Sequence, residues 1–401
     1  DNWLIFDQPR NTALFPNDTS AELSGYNGLL RFMTNGFSIN TTDNSMNNSS
    51  GNYIFMAIAA NPDTTAPTKA NSFKTKIYTG TGSTNAITGL GFKPDLIWTK
   101  NRDQTDSFAL VDSVRGIVSP APYLASDLNA ANATSTNMPT SVQADGYTIT
   151  GNGGRTNTSG EDYVSWNWKA LDHDRNLAAI NIDGSIPSIV SANPEVGFSI
   201  VKYTGNNTDG ATVGTGLTQA CNIVIVKDLT SANYWCVGGS TVGNGQNLYL
   251  NDTGAKLTRD RVKSVQTNTF TLGNHFETNS TNNFIAYCWH SVAGYSKIGT
   301  YTGNTSSTNT INVGFAPSFL MIKRTDSTGS WRIYDRERDS GNLPQRIDHN
   351  LTADSNGAEY DATSGSTGYA WFSSTGFYFD TNQTNSHINA NGGTYIYMTF
   401  K

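Results

Sequence analysis

Charged side chains are scarce in this chain of 401 residues. The 26 Lys and Arg and the 32 Asp and Glu make up 14% of the sequence and leave a formal net charge of −6. A nucleic-acid-binding protein needs a basic face, so this balance argues against nucleic acid as a partner. No apolar run approaches the roughly 20 residues of a membrane-spanning helix, so membrane insertion is not expected. Aromatic residues reach 11% and can fill cores, so the low charge does not indicate disorder.

Cysteine and glutamate are also rare. Cys221, Cys236 and Cys288 are too few and odd in number for a disulfide framework, and their spacing fits no zinc pattern, so we expect plain buried thiols. The six Glu residues fall at unrelated places, whereas a polysaccharide depolymerase needs two carboxylates facing one cleft. There is no Gly-x-Ser-x-Gly, phosphate-loop or zincin motif. The sequence therefore predicts no catalysis and no cofactor.

What the chain does contain is a repeat. The segment GLGFKPDLIWTK (89–100) aligns with GLTQACNIVIVK (216–227) and VGFAPSFLMIK (313–323). Each copy follows a Tyr-Thr-Gly turn and precedes an aromatic strand. Many Gly, Asn, Thr and aromatic residues, without a helical period, favour short strands joined by tight turns. The repeated segment is apolar on both faces, which is typical of a central strand covered on both sides.

Each unit ends in a similar strand. The four copies are YIFMAI (53–58), YVSWNW (163–168), FIAYCW (284–289) and YIYMTF (395–400). Alternate residues of a strand share a face, and one face is apolar in every copy, so this is the predicted core face. The other face mixes Ser, Ala, Asn, Thr and Tyr.

The fold prediction is all-β, with tandem antiparallel β-sandwich modules of jelly-roll type, each a separate sandwich. An immunoglobulin-like topology is the alternative, but the Cys…Trp…Cys spacing is missing. The predicted modules are a partial one at 1–60 and full ones at 73–171, 197–293 and 295–401, with linkers at 61–67 and 183–194. The partial module lacks its opening strands. We expect another segment to supply them, from upstream in a longer polypeptide or from another chain.

Three Asp–Arg pairs recur at the same place in the units: Asp7/Arg10, Asp112/Arg115 and Asp335/Arg338. They could bind a sugar, but recurrence favours an ion pair that closes the strand end. The unit at 197–293 lacks the pair.

Metal binding is not predicted. Asp172, His173 and Asp174 are adjacent in an extended segment, so their side chains cannot all reach one ion. The loops at 42–44 and 380–382 offer oxygen ligands that suit Ca²⁺. Turn formation, which Asn and Asp favour, explains these loops equally well and is preferred.

The last unit carries aromatic residues that the others lack: Tyr360, Tyr369, Trp371 and Phe372, in a Gly/Ser-rich stretch. Exposed aromatic rings stack on sugars and anchor interfaces. Tyr360, Tyr369 and Trp371 are therefore the candidate ligand-binding residues. Phe372 is expected to close the sandwich, as Phe32 does in the partial module.

The segments GLGFKPDLIWTKNR (89–102), LVDSVRG (110–116), YVSWNWKA (163–170) and GFSIVKYTG (197–205) resemble a repeated domain of unassigned function in large marine phage proteins. These proteins, notably from cyanophages, are tail-fibre-like or virion structural proteins. The resemblance implies repeated β modules and a location on the virion surface, outside the cell, and it supplies no catalytic residues. The expectation is a structural protein of a phage appendage that contacts the host surface, forms homo-oligomers, and has other virion proteins and a host glycan as partners. The alternatives are a carbohydrate-binding adhesin of a bacterial surface, a depolymerase, and a basal virion collar.

Overall fold

The computed structural model describes residues 3–7, 13–21, 29–33, 36–57, 71–170, 179–339, 341–362 and 367–401. Apart from one four-residue helix, its regular structure is strands, and nearly all strand pairs are antiparallel. This confirms the predicted all-β sandwich class. We refer to 73–171 as unit I, to 179–293 as unit II and to 295–401 as unit III.

The strands follow the chain in order. Residues 1–60 contain β1 (Ile5–Phe6), β2 (Ala13–Leu14), β3 (Leu30–Met33) and β4 (Gly36–Ile39). Unit I contains β5 (Phe73–Thr79), β6 (Asn85–Thr88), β7 (Leu96–Asn101), β8 (Ala109–Asp112), β9 (Ala121–Tyr123), β10 (Ala133–Ser135), β11 (Pro139–Gln143), β12 (Gly146–Ile149) and β13 (Asp162–Trp168).

Unit II contains β14 (Ala179–Asn181), β15 (Ser188–Asn193), β16 (Phe198–Thr204), β17 (Thr212–Gly214), β18 (Ile223–Asp228), β19 (Cys236–Gly238), β20 (Gln246–Tyr249), β21 (Leu257–Thr258), β22 (Val262–Val265), β23 (Thr269–Leu272), α1 (Phe276–Asn279) and β24 (Asn283–Trp289). Unit III contains β25 (Ser296–Thr302), β26 (Asn309–Asn312), β27 (Phe319–Arg324), β28 (Arg332–Asp335), β29 (Gln345–Ile347), β30 (His349–Thr352), β31 (Tyr360–Asp361), β32 (Ala370–Phe372), β33 (Gly376–Phe379) and β34 (Thr394–Phe400).

Each unit is a sandwich of an inner and an outer sheet. The inner sheets share the order opening strand, closing strand, repeated strand, aromatic strand: β5-β13-β7-β8, β16-β24-β18-β19 and β25-β34-β27-β28. The outer sheets are β6-β12-β11, β17-β23-β22 and β26-β33-β32-β29. All six residues of β7 are buried, which confirms that the repeated strand is covered on both faces.

The three units pack their inner sheets around one shared core. In units I, II and III the predicted core faces of the closing strands belong to a single cluster, with no side chain more than 3% exposed: Val164, Trp166, Trp168, Ile285, Tyr287, Trp289, Ile396, Met398 and Phe400. The ring of Trp168 lies 6.0 Å from that of Trp289 and 5.7 Å from that of Phe400. The apolar face of each closing strand is therefore the contact between units.

The interior of each sandwich is the other face of the same strand. Tyr163 and Ser165 are fully buried there, and the Tyr147 hydroxyl from β12 of the outer sheet donates to Ser165 Oγ at 2.9 Å. The prediction of separate sandwiches was thus incomplete, because periodicity shows that a face is buried but not what covers it.

The contacts between units follow a threefold pattern. One backbone N–H from each unit donates to a carbonyl at the end of the next unit's repeated strand. The three bonds are Asn132 N to Leu229 O at 3.1 Å, Lys256 N to Thr325 O at 2.8 Å, and Glu359 N to Arg102 O at 2.8 Å. The ring of contacts I–II–III–I is therefore closed.

One predicted boundary and one predicted strand need correction. Residues 183–194 are not a linker, because β15 pairs with β16 and extends the inner sheet of unit II. The described parts of residues 1–60 form two hairpins, β1–β2 and β3–β4, and β3 pairs with β14. Residues 53–58 were expected to be a strand, but 53–57, the described part, pair with no described strand, and Ile54 and Met56 are 82% and 86% exposed. Completion of this partial module by another segment stays a prediction.

Candidate functional site

An aromatic pair lies on the outward face of the outer sheet of unit III. In β33, Phe377 and Phe379 are fully buried, so Tyr378 between them points outward. The rings of Tyr378 and its cross-strand neighbour Trp371 have centroids 5.7 Å apart and planes only 9° apart. Both side chains are partly exposed. We call Trp371 and Tyr378 the aromatic strip.

Polar groups hold the aromatic strip in place. Trp371 Nε1 donates to Asp380 Oδ2 at 3.1 Å, and Tyr369 OH donates to Asp380 Oδ1 at 2.9 Å. Arg346, opposite Trp371 in β29, lies 3.9 Å above the ring of Tyr369 and pairs with Asp348 at 2.6 Å. Burial, with the nearby Asp380 carboxylate, raises the pKa of Tyr369 to about 12. The strip is therefore a rigid surface with a guanidinium and a carboxylate at its edge.

The structure separates the three residues that the sequence grouped together. Tyr369 is only 5% exposed and lies under Arg346, so it supports the strip and cannot stack on a ligand. Tyr360 is 44% exposed but belongs to β31, at the edge of the inner sheet. Trp371 lies on a strand and not in a loop. Tyr378 was missed, although its place between two core Phe residues was a readable signal.

The Phe372 prediction is confirmed, since its side chain is fully buried in the sandwich of unit III. The side chain of Phe32 lies outside the described residues.

Two of the recurrent Asp–Arg pairs are buried within their units, and the carboxylate of each also accepts a hydrogen bond from a neighbouring unit. Asp112 Oδ2 accepts from Arg115 Nε at 2.6 Å and from the Tyr287 hydroxyl of unit II at 2.7 Å. In unit III, Asp335 Oδ2 accepts from Arg338 Nε at 2.7 Å, and from Trp166 Nε1 of unit I at 3.0 Å. Arg10 lies outside the described residues, so the Asp7/Arg10 pair cannot be placed.

The absence of this pair from unit II has a physical reason. The positions that correspond to Asp112 and Arg115 in unit II hold Gly239 and the buried Val242. The residue of unit III that corresponds to Trp166 and Tyr287 is Met398, which has no N–H or O–H to donate. A carboxylate there would be desolvated without a partner, which is costly. A carboxylate thus occurs only in the units, I and III, where the neighbouring unit presents a hydrogen-bond donor to it.

Three buried lysines, Lys100, Lys227 and Lys323, end the repeated strands and were not singled out from the sequence. Lys227 Nζ donates to Asn129 O of unit I at 3.1 Å, and Lys323 Nζ donates to Thr253 O of unit II at 3.0 Å. Burial lowers the pKa of each of the three to about 8. Their recurrence in the alignment could have identified them.

Most of the other carboxylates considered as metal ligands or catalytic groups are bound by nearby residues. Asp43 Oδ1 accepts from Ser45 N at 2.8 Å, as turn formation predicts. Glu359 pairs with Arg338 at 2.7 Å and with Arg102 of unit I at 2.6 Å; burial opposes its charge, but the two guanidinium groups outweigh burial and lower the pKa of Glu359. Asp172, His173 and Asp174 lie outside the described residues. Among the described residues, no three His, Cys, Asp or Glu are grouped to hold a metal ion.

The three cysteines are free and buried, as predicted. In the described part of the chain, no helix combines the length and the apolar character that a membrane crossing requires.

Comparison with known proteins gives one match. The family model described as "Domain of unknown function (DUF7483)" matches residues 1–62 and 68–401. No curated protein and no solved structure matches the chain. The matched residues cover nearly the whole sequence, so the chain belongs to the DUF7483 family of domains of unknown function.

Proposed function

We propose that this protein is a non-enzymatic structural component of a phage appendage, a tail fibre or capsid-attached fibre, and that unit III binds a host-surface glycan. The observation that carries the binding proposal is the aromatic strip. It occurs once among three units that share one fold, so the shared framework does not explain it.

The geometry of the strip suits a sugar ring. Pyranose rings present flat C–H faces, and the partly exposed rings of Trp371 and Tyr378, stacked nearly parallel on each other, form an aromatic surface that such a face can contact. Arg346 and Asp380 can hydrogen-bond hydroxyl groups at the edge. Sites carried on strands are held more precisely than sites on loops, so the strip is preorganised for binding.

A single site of this kind binds weakly. An aromatic stacking contact contributes about 1 kcal/mol beyond area burial. Several copies on one particle raise avidity by about 10² to 10⁴. The proposed homo-oligomer, carried on the surface of a virion with other virion proteins, supplies these copies.

The rigid three-unit body supports a structural role. One buried cluster joins all three inner sheets, and the buried carboxylates of Asp112 and Asp335 accept hydrogen bonds from Tyr287 and Trp166 of neighbouring units. Such a body can carry load without separating. The phage setting rests on the sequence resemblance at 89–102, 110–116, 163–170 and 197–205.

Binding without turnover is supported by the partners of the buried glutamates. Glu277 Oε2 accepts from Arg261 Nε at 2.5 Å, and Glu359 bridges two arginines. The two guanidinium groups beside Glu359 lower its pKa, which makes it a poor proton donor.

A bacterial surface adhesin is the second candidate, because the strip would serve an adhesin equally well. Mass spectrometry of purified particles discriminates between them, since only a virion component is present in stoichiometric amounts.

The experiment compares Trp371→Ala with Tyr360→Ala, an exposed aromatic residue off the strip in the same unit. Binding to purified host-surface polysaccharide is measured, with particle adsorption and thermal melting alongside. We expect Trp371→Ala to lose at least tenfold in affinity and Tyr360→Ala to retain it. Unchanged adsorption with Trp371→Ala, at normal folding, contradicts the site. Release of shortened glycans contradicts the non-enzymatic role.

A further inference from the structure

Unit II contains a pocket that the shared framework does not require. It has a volume of about 270 Å³ and lies beside the loop that contacts unit III. Six of its lining residues matter here: Tyr234, Tyr249, Asp252, Leu257, Arg259 and Glu277. We call it the unit II pocket. Its volume is below that of pockets for drug-sized ligands, so it suits a single ring.

One wall of the pocket is aromatic. Tyr234 is 41% exposed, and its ring lies 4.7 Å from that of Tyr249, which is only 9% exposed. Tyr249 therefore supports Tyr234 from within. Leu257, 37% exposed, adds a second apolar surface.

The polar side of the pocket is built on a buried carboxylate. Glu277 is 4% exposed, and its Oε2 accepts from Arg261 Nε at 2.5 Å and from Tyr249 OH at 3.0 Å. Arg259 Nη1 donates to the same Tyr249 oxygen at 3.1 Å. Asp252 also lines the pocket, and its Oδ1 accepts from Gly254 N at 2.6 Å. Donors and acceptors are both present, and two arginines balance two carboxylates.

The residues of units I and III that correspond to Glu277 make different contacts. Glu277 precedes Asn279 by two residues, as Arg155 precedes Asn157 and His387 precedes Asn389. Those three Asn residues accept equivalent backbone bonds, which fixes the alignment. Arg155 donates to Phe108 O at 3.3 Å, and His387 Nδ1 accepts from Ser330 N at 2.8 Å. Arg155 and His387 thus hydrogen-bond backbone groups near the aromatic strand, whereas Glu277 lines the pocket.

Tyr249 is also particular to unit II. Its carbonyl accepts from Trp331 Nε1 at 2.8 Å, as the carbonyl of Ala125 accepts from Trp235 Nε1 at 2.9 Å. The same backbone role is thus filled in unit I by a residue with only a methyl side chain. The ring of Tyr249 is not needed for the contact between units.

We propose that the unit II pocket is a second saccharide site, which holds one uncharged pyranose residue of a polysaccharide against Tyr234. An apolar ring face with converging donors and acceptors matches the alternating C–H and hydroxyl groups of a sugar. The balanced charge disfavours an anion or a cation. The inference rests on the proposed saccharide binding but places it at a different site.

The test uses the whole protein with neutral methyl pyranosides and neutral oligosaccharides as probes, followed by saturation-transfer NMR and calorimetry. Tyr234→Ala removes the platform, and Tyr234→Phe keeps the ring as the matched control. Glu277→Gln keeps the shape of the polar side. Thermal melting shows that each variant is folded.

We expect Tyr234→Ala to weaken binding at least tenfold, Glu277→Gln to weaken it by a smaller factor, and Tyr234→Phe to leave it unchanged. Trp371→Ala should leave this site intact. Binding that is lost with Trp371→Ala but not with Tyr234→Ala overturns the second site and preserves the proposed function. If Tyr234→Ala alone abolishes all binding, the second site stands and the aromatic strip is rejected. If each variant removes one of two binding events, both sites stand. No binding of any probe, or cleavage of an oligosaccharide, also overturns the second site.

Discussion

Removing one buried carboxylate between units I and II should destabilise the whole body. In Asp112→Ala, the Arg115 guanidinium, with a side chain 3% exposed, loses its ionic partner, and the Tyr287 hydroxyl loses its acceptor. Breaking a buried ion pair by removing one partner costs about 3–5 kcal/mol. The hydroxyl left without an acceptor adds about 1–3 kcal/mol.

Unit II makes the equivalent contact with apolar residues instead of an ion pair, and a variant that copies it provides a comparison for Asp112→Ala. The triple variant Asp112→Ala, Arg115→Val and Tyr287→Met copies the apolar solution of Val242 and Met398. Replacing a buried ion pair by apolar residues is often neutral or stabilising. We therefore expect the triple variant to recover at least half of the stability that Asp112→Ala loses. Tyr287→Phe, which keeps the ion pair, should cost about 1–2 kcal/mol.

The assay is equilibrium unfolding in guanidinium chloride, combined with hydrogen exchange of strands β8 and β24. Since a body of three units need not unfold in two states, exchange assigns the loss to the contact between units I and II. A cost below about 1 kcal/mol for Asp112→Ala, or a triple variant less stable than the single one, would refute the reasoning.

Three further predictions concern buried groups and the partial module. Because the folded pKa of Lys323 lies near 8, below its unfolded value, the unfolded state binds more protons between these values and stability rises with pH. The unfolding free energy of wild type relative to Lys323→Met should therefore rise by about 1.5 kcal/mol from pH 8 to 9.5. A falling or flat difference would contradict this. The three thiols are buried, and burial raises the pKa of Cys236 and Cys288. A thiol reagent should therefore label the protein only after denaturation. Labelling of the native protein would show that the cysteines are not buried as described. The backbone amides of residues 53–57 should exchange with solvent rapidly in the isolated chain and become protected in the proposed homo-oligomer. Met56→Asp should weaken formation of this oligomer without lowering the melting temperature of the chain. Fast exchange in the oligomer as well would show that no strand completes this module.

The repeat in the sequence was enough to predict the sandwiches and the buried faces. It could not identify what covers those faces. The alternation Val164, Trp166 and Trp168 shows a buried surface, but only the folded chain shows that Trp168 contacts the other two units. Contacts between repeats depend on how the units pack, and no local pattern encodes this packing.

Flanking prolines obscured a strand at 183–194. Ser188 and Val190 are buried while Ile189 is exposed, which is the two-residue period of a strand with one covered face. Pro187 and Pro194 bound this strand, and Pro is tolerated at the ends of strands and on edges. The alternation was thus the better guide to this segment.

The sequence also predicted the candidate site only in part. The composition of unit III indicated an aromatic site, and Trp371 belongs to it. The burial of Tyr369 follows from Arg346 and Asp380, which approach from other parts of the chain. Tyr378 could have been found from the pattern Phe377-Tyr378-Phe379, since its neighbours face the core.

The most direct test of the proposed function is cryo-electron microscopy of intact particles of the phage proposed to carry this protein, with host-surface oligosaccharide added. The account predicts that the protein forms part of an external appendage, that unit III faces outward, and that sugar density lies on Trp371 and Tyr378. Absence of the protein from the particle, or a unit III covered by another virion protein at this strip, would contradict it.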